Sequence, residues 1–198
     1  MSEYDIKKAV DTLKKGGTVI APTDSVYGLF GDALNEKTVE RIRGIKGRDG
    51  RKPFQIAVLE QDAGKYGKLN ESAVKLIERF WPGDVNLIVE KTTLVPDYIS
   101  ESTVCLTCHR NKTIDSIVRG VGRPLVSTSV NLSGMPPAVR IQDIQKEIRE
   151  RADFVIDGGE TKNKKPNTIV DLTVNPARII REGPVSRGEL EHLIQIEQ

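Results

Sequence analysis

Residues 16–28 read Gly-Gly-Thr-Val-Ile-Ala-Pro-Thr-Asp-Ser-Val-Tyr-Gly. The two glycines close a segment, 5–15, in which Ile6, Val10 and Leu13 recur at helical spacing. Thr18 to Ala21 is a short apolar run of strand length, and Pro22 stops it. Two hydroxyls and a carboxylate follow at Thr23-Asp24-Ser25. Helix, buried strand and polar loop in that order belong to an α/β fold, where ligands bind outside the carboxyl ends of strands. The alternative reading of the loop is a helix N-cap, with one of these side chains bonding free N–H groups.

The same grammar repeats outward. Helices are expected at 36–46, 71–81, 112–120, 140–152 and 186–196, and strands at 54–59, 85–89, 103–107, 124–127, 154–156, 168–170 and 178–180. The last three strands come without intervening helices, so the sheet is expected to be mixed. No internal repeat or low-complexity linker divides the chain, and Lys162 to Lys165 reads as an exposed loop. The expected architecture is one α/β domain over residues 1–198, with a core over about 4–184 and a C-terminal helix over about 186–197. At 198 residues the chain fits one large domain, able to bury about 70% of its extended surface without disulfides.

Thirty Lys plus Arg against 28 Asp plus Glu leave a net charge of +2, which excludes a bulk polyanion binder. Any anion site must come from local placement of charge. The 37% hydrophobic content excludes a disordered chain. No basic n-region precedes an apolar run at Met1-Ser2-Glu3-Tyr4-Asp5, and no run reaches the ~18–20 residues of a membrane span. The expectation is a soluble cytoplasmic protein with no membrane partner. The sequons at Asn70, Asn111 and Asn131 then carry no glycosylation.

Chemistry concentrates in four loops. Of the twelve residues Arg41 to Lys52, six are basic and only Asp49 is acidic. The helical pattern fails near Gly47, so Lys46, Arg48, Arg51 and Lys52 are expected on a glycine-rich loop suited to a polyphosphate. The alternative is a solvated basic face. The loop at Pro22 to Gly28 is the second. Ser127-Thr128-Ser129-Val130-Asn131-Leu132-Ser133-Gly134, rich in uncharged donors, is the third, with a plain turn as its alternative. Arg181 at a strand end is the fourth, with a surface ion pair as its alternative. Cys105-Leu106-Thr107-Cys108-His109 matches the C-x-x-C-H haem string. On a strand, however, positions three apart point to opposite faces, and no second cysteine pair completes a zinc site. His109 and His192 have no Ser or Cys partner in a recognisable motif, so a Ser-His-Asp hydrolase is not expected.

Taken together, the loops resemble the YrdC-domain family of threonylcarbamoyl-AMP synthases. The resemblance rests on Pro22-Thr23-Asp24-Ser25-Val26-Tyr27-Gly28-Leu29, Lys46-Gly47-Arg48 with Lys52-Pro53, Trp81-Pro82-Gly83, Ser129-Val130-Asn131-Leu132-Ser133-Gly134, Asp157-Gly158-Gly159, Thr168 to Leu172 and Arg181-Glu182-Gly183. No one piece is specific, but their order and spacing are. The resemblance implies a twisted open sheet flanked by helices with a large, concave, basic cleft. It also implies a nucleotidyltransferase that converts L-threonine, bicarbonate and ATP, with Mg²⁺, into threonylcarbamoyl-AMP and pyrophosphate. That product serves threonylcarbamoyladenosine modification of tRNA, through downstream transfer machinery.

The family's Lys-x-Arg and Ser-x-Asn motifs fall on Lys46, Arg48, Ser129 and Asn131, the implied catalytic set. Arg48, Lys52 and Arg181 are expected on the triphosphate, with Asn131 positioning the phosphates. Lys46 and Ser129 are expected on the bicarbonate-derived group. Thr23, Ser25 and Asn167 are expected on the amino-acid side. No protein metal ligand is expected.

Four positions depart from the family pattern. Ala57 stands where many members have His, Thr107-Cys108-His109 where many have Arg-x-Pro, Asn86 where Thr is usual, and Asn167 where Ser is usual. The nucleotide half is therefore kept and the threonine half altered. Pro-Thr-Asp-Ser, Ser-Thr-Ser and Arg-Glu-Gly also resemble YciO-type paralogues, which leaves a nucleotide-binding paralogue with another or a lost amine as an alternative. A module binding tRNA or double-stranded RNA through 41–52 is the third. With 5% aromatic residues it would bind by phosphate contacts rather than by base stacking.

Overall fold

The computed structural model describes residues 2–47, 52–132 and 135–197. Helix α1 spans Glu3–Lys14, and Ser2 and Asp5 form a reciprocal capping box at its start. Strands β1 (Val19–Pro22) and β2 (Tyr27–Asp32) form a hairpin buried throughout. Helix α2 spans Glu36–Lys46 and ends on Gly47 at φ +56°, a left-handed cap that glycine adopts without strain. Next come β3 (Gln55–Ala57), the one-turn α3 (Ala63–Tyr66), α4 (Glu71–Phe80), β4 (Val85–Glu90) and β5 (Thr103–Thr107). They are followed by α5 (Lys112–Val121), β6 (Leu125–Ser129), α6 (Lys146–Arg151), β7 (Phe154–Val155), β8 (Thr168–Asp171), β9 (Arg178–Arg181) and α7 (Arg187–Glu191).

The nine described strands form one mixed sheet in the order β7-β1-β2-β6-β3-β5-β4-β8-β9. β7–β1, β3–β5 and β4–β8 pair parallel, and the other neighbours pair antiparallel. One apolar cluster joins α1 and α5, through Ala9, Leu13, Ile114, Ile117 and Val118, to Phe30, Ala57 and Leu125. A larger cluster gathers Ile42 and Ile45 of α2, Leu76 of α4 and Ile148 of α6 around Tyr27, Ile56, Leu87 and Val170. Helices therefore cover the sheet's central strands, while the edge strand β9 stays largely exposed.

Several sequence expectations change here. β2 was hidden within the polar loop reading, because Tyr-Gly-Leu-Phe-Gly-Asp carries no clean alternation. A hairpin strand follows Thr23-Asp24-Ser25, so these residues cap no helix. The expected helix 140–152 is a 3₁₀ turn at Ile141–Asp143 followed by the shorter α6. The C-terminal helix is only Arg187–Glu191, after which Ala177 bridges to Ile196. Lys46 is the last residue of α2 and lies on no loop. Two of the sequons have a structural explanation: the Asn70 and Asn111 side chains cap α4 and α5. None of the described helices is long and apolar enough to cross a membrane.

Candidate active site

A cavity of about 480 Å³ is lined from both halves of the sheet. Thr23, Ser25, Lys46, Lys52, Ser129, Asn131, Asn167 and Arg181 all line it, so eight of the nine expected site residues meet in one place. The ninth, Arg48, lies outside the described residues, as do Asp49, Arg51, Ser133 and Gly134. A larger groove of about 1410 Å³ lies elsewhere, between α4 and the C-terminal segment, and holds none of these residues.

The hairpin turn is built by its own hydroxyls. Thr23 Oγ1 donates to the Val26 carbonyl at 2.7 Å and accepts from the Ser25 N–H at 3.1 Å. Thr161 Oγ1 donates to the Ser25 carbonyl at 2.8 Å, and the Asn163 N–H donates to that of Asp24 at 3.0 Å. The Asp-Gly-Gly motif explains itself at Tyr27, whose hydroxyl donates to the Gly159 carbonyl at 2.8 Å and accepts from the Gly158 N–H at 3.2 Å. Asp24 points away from the cavity as an anchor, its carboxylate accepting the Asn111 N–H at 3.0 Å.

The two motifs expected to be catalytic touch. Lys46 is buried, and its ammonium donates to the Ser129 carbonyl and to the Asn131 carbonyl at 3.0 Å. Ser129 Oγ donates to Asn131 Oδ1 at 2.5 Å, while Asn131 Nδ2 holds the Leu132 and Met135 carbonyls at 3.0 and 2.6 Å. Asn131 therefore spends both ends of its amide on its own loop and on Ser129, and shapes the wall that carries Lys46 and Ser129. Basic residues in the last turn also suit the negative end of the α2 dipole.

Across the cavity, Arg181 Nε donates to the Asn167 carbonyl at 2.9 Å. No carboxylate among the described residues pairs with Arg181, so it is not a surface ion pair. Burial pulls its guanidinium below the usual value. Asn167 Nδ2 donates to the Gly83 carbonyl at 3.1 Å and to Asn86 Oδ1 at 3.0 Å, and Asn86 Nδ2 reaches Gln55 Oε1 at 2.9 Å. Asn167 Oδ1 is buried without a partner among the described residues. Of the positions that depart from the family pattern, Asn86, Asn167 and His109 line the cavity. Ala57 and Thr107 are fully buried neighbours across β3 and β5 and do not line it.

No acidic side chain lines the cavity among the described residues, while Lys46, Lys52 and Arg181 do. Lys46 is buried, and there its charge attracts an anion more strongly than it would in open water, while Lys52 and Arg181 are exposed at the cavity's edge. The cations of 41–52 do not form a uniform solvated face. Arg41 is held by Asp153 at 2.7 and 2.9 Å, and Arg43 is buried against the Lys52 and Tyr98 carbonyls at 3.1 and 2.9 Å.

The cysteines stay apart in role. Cys105 lines the cavity, Cys108 packs into the core, and burial pushes both thiols up to about 12. No three His, Cys, Asp or Glu side chains gather to hold a metal ion among the described residues. His109 does have a serine partner, which the sequence did not disclose: its Nε2 lies 3.1 Å from Ser127 Oγ. The two are 18 residues apart and meet because β3 pairs with β5 on one side and β6 on the other, which sets the end of β5 level with the start of β6; no short motif could signal it.

The Sua5/YciO/YrdC family model, described as telomere recombination, matches residues 11–183. A Methanocaldococcus jannaschii protein is 35% identical over 192 residues, covering 93% of this chain and 90% of its own. The Pyrococcus abyssi threonylcarbamoyl-AMP synthase is 32% identical over 98% of this chain, which spans 58% of that protein. The crystal structure of P. abyssi Sua5 complexed with L-threonine superposes with a TM-score of 0.93 at 30% identity, covering 100% of this chain and 60% of that one. Escherichia coli YciO gives 0.86 at 25% identity, covering 96% and 94%. The match over residues 11–183 makes this chain a member of the Sua5/YciO/YrdC family.

Proposed function

We propose that this chain is a threonylcarbamoyl-AMP synthase that takes L-threonine, bicarbonate and ATP. The observation that carries the reading is the charge of the cavity: three cations, a wall of hydroxyls and amides, and no carboxylate among the described lining residues. Membership in a family with a synthase of that name, and a relative that binds L-threonine, support it.

The chemistry needs this distribution. Threonine's amine and bicarbonate condense to a carbamate with loss of water. A carbamate oxygen then attacks the α-phosphorus of ATP, the bond from that phosphorus to the bridging oxygen breaks, and pyrophosphate leaves. Two anions must be brought together, so the protein's work is positioning and screening rather than supplying a nucleophile. Lys52 and Arg181, with Arg48, would hold the triphosphate. Lys46 and Ser129 would hold the bicarbonate-derived group, with Asn131 fixing their wall. Thr23, Ser25 and Asn167 would meet the amino acid. The Mg²⁺ that accompanies ATP belongs to the nucleotide in this reading, since the described lining offers it no carboxylate. The product would feed threonylcarbamoyladenosine synthesis on tRNA in the cytoplasm, through separate transfer machinery.

A second reading, a YciO-like paralogue acting on another amine, is favoured by the altered lining at Asn86, Asn167 and His109. One experiment separates the two. Pyrophosphate release is measured with ATP, bicarbonate and L-threonine together, then with each omitted and with a panel of amino acids replacing threonine. The synthase requires all three, and a rate that does not depend on threonine overturns it.

A further inference from the structure

The cavity lining is chemically divided: Lys46 and Lys52, with Arg181 across from Lys46, supply its charge, while Thr23, Ser25, Ser127 and His109 are uncharged. Burial pulls the His109 imidazole down to about 4, so it is neutral at physiological pH.

His109 is held from several sides. The Gly83 N–H donates to the Cys108 carbonyl at 2.9 Å, and the Asn111 N–H donates to the Asp24 carboxylate at 3.0 Å. The ring stands edge-on to Phe30, with centroids 5.9 Å apart. Phe30 can lie there because residue 28 is glycine: a Cβ at that position would meet the Phe30 ring at 2.7 Å. Phe30 and Ser127 are also register partners across β2 and β6.

The hydrogen-bonding capacity left to His109 and Ser127 limits what this pair accepts. A neutral imidazole has one donor and one acceptor, and a serine hydroxyl has a donor and acceptor lone pairs. One bond joins the two side chains at 3.1 Å, and among the described residues neither makes another. If Ser127 donates, His109 Nδ1–H remains as donor and Ser127 Oγ as acceptor. If His109 donates, the Ser127 hydroxyl remains as donor and Nδ1 as acceptor. Either tautomer leaves Ser127 Oγ an acceptor lone pair and the pair as a whole one donor, so a substrate hydroxyl that meets it is bonded and a methyl group that meets it is not.

We propose that His109 and Ser127 form a specificity-determining pair that reads the side-chain hydroxyl of the amino-acid substrate, selecting a β-hydroxy amino acid over its apolar isostere. The proposal rests on the synthase reading and adds the residues that discriminate. L-Valine is the probe, since it replaces threonine's hydroxyl with a methyl group of similar size.

The test measures kcat/KM for pyrophosphate release with L-threonine and with L-valine, in wild type, His109→Leu, His109→Gln and Ser127→Ala. Wild type should prefer threonine by about 100-fold or more, because a site built to bond a hydroxyl is left unpaired by the isostere. His109→Leu and Ser127→Ala should each shrink that ratio about tenfold or more, mainly through loss of threonine turnover. His109→Gln, which keeps a neutral donor and acceptor, should restore part of it. Ser127→Ala removes a single oxygen, so it carries the test if His109→Leu fails to fold. A merely structural role would lower both substrates together. A threonine-to-valine ratio in Ser127→Ala within about twofold of wild type, or a wild type indifferent to the two substrates, overturns the proposal. Its failure is distinct from failure of the synthase reading, in which wild type releases no threonine-dependent pyrophosphate at all.

Discussion

Gly183→Ala should destabilise this protein and disable its cavity together. A Cβ at 183 would sit 2.4 Å from the Pro166 carbonyl oxygen, 2.4 Å from the Thr168 nitrogen and 2.6 Å from the Asn167 carbonyl carbon. Real Cβ contacts essentially never fall under 3.0 Å, so the two backbones must part by about 0.6 Å or more. Between them sits the fully buried Thr168 hydroxyl. It donates to the Val185 carbonyl at 2.7 Å and accepts from the Gly183 and Val185 N–H groups at 2.9 and 3.2 Å. That separation would carry the two N–H bonds to or beyond the limit of useful geometry. Two buried donors left weakly paired cost about 2–5 kcal/mol in all. For a chain of this length that corresponds to a Tm lower by about 5–15 °C.

The same shift moves Asn167 against Arg181, which are joined at 2.9 Å on the cavity wall. Misplacement on this scale can cost up to about 100-fold in turnover. Gly188→Ala is the internal control. It lies within α7, and nothing stands within 4 Å of its Cβ. Alanine there should stabilise by about 0.5–1 kcal/mol, the opposite sign. Thermal melts and urea titrations of the three proteins, with pyrophosphate release measured well below Tm, make the comparison. A Gly183→Ala protein that melts within about 2 °C of wild type would refute the reasoning from close approach.

Lys46→Ala should lower pyrophosphate release by about 100-fold to 1000-fold with retained secondary structure by circular dichroism, and near wild-type turnover would remove Lys46 from the site. His109 carries a stability signature. Its folded value of about 4 lies below the ordinary 6.5, so the unfolded chain takes the proton first. The contribution is complete above about pH 6.5 and is lost as pH falls toward 4; Tm plotted against pH should therefore be flatter over that window in His109→Gln than in wild type. Cys105 and Cys108, both pushed up to about 12 by burial, should react with a disulfide reagent at pH 8 about 100-fold more slowly in the native protein than in denaturant. Equal rates would show that Cys105 is an accessible, activated thiol.

Much of the molecule was legible one residue at a time. The helix 36–46 and the strand 103–107 stand where periodicity places them, because caps and apolar spacing are local causes. The strand 27–32 was not legible. It is buried throughout, contains two glycines, and owes its extended form to β1 and β6 on either side. The helix expected over 140–152 failed for a related reason: the pattern of Ile141, Ile144 and Ile148 persists across a 3₁₀ turn and a break, and burial of those residues does not require a continuous helix.

The sequence alone determined that anion chemistry had to be local. A net charge of +2 left no bulk field, and six cations in twelve residues marked where one could arise. Order and spacing of the short motifs determined the family. Only the tertiary structure decided which of those cations count. It turned Arg41 to Asp153 and Arg43 to backbone carbonyls, seated Lys46 on Ser129 and Asn131, and brought Arg181 across from the far half of the sheet. It alone joined His109 to Ser127. The physical reason is that the worth of a charge or a hydrogen-bonding group depends on its neighbours and its exclusion from water, and strand pairing over long separations sets both.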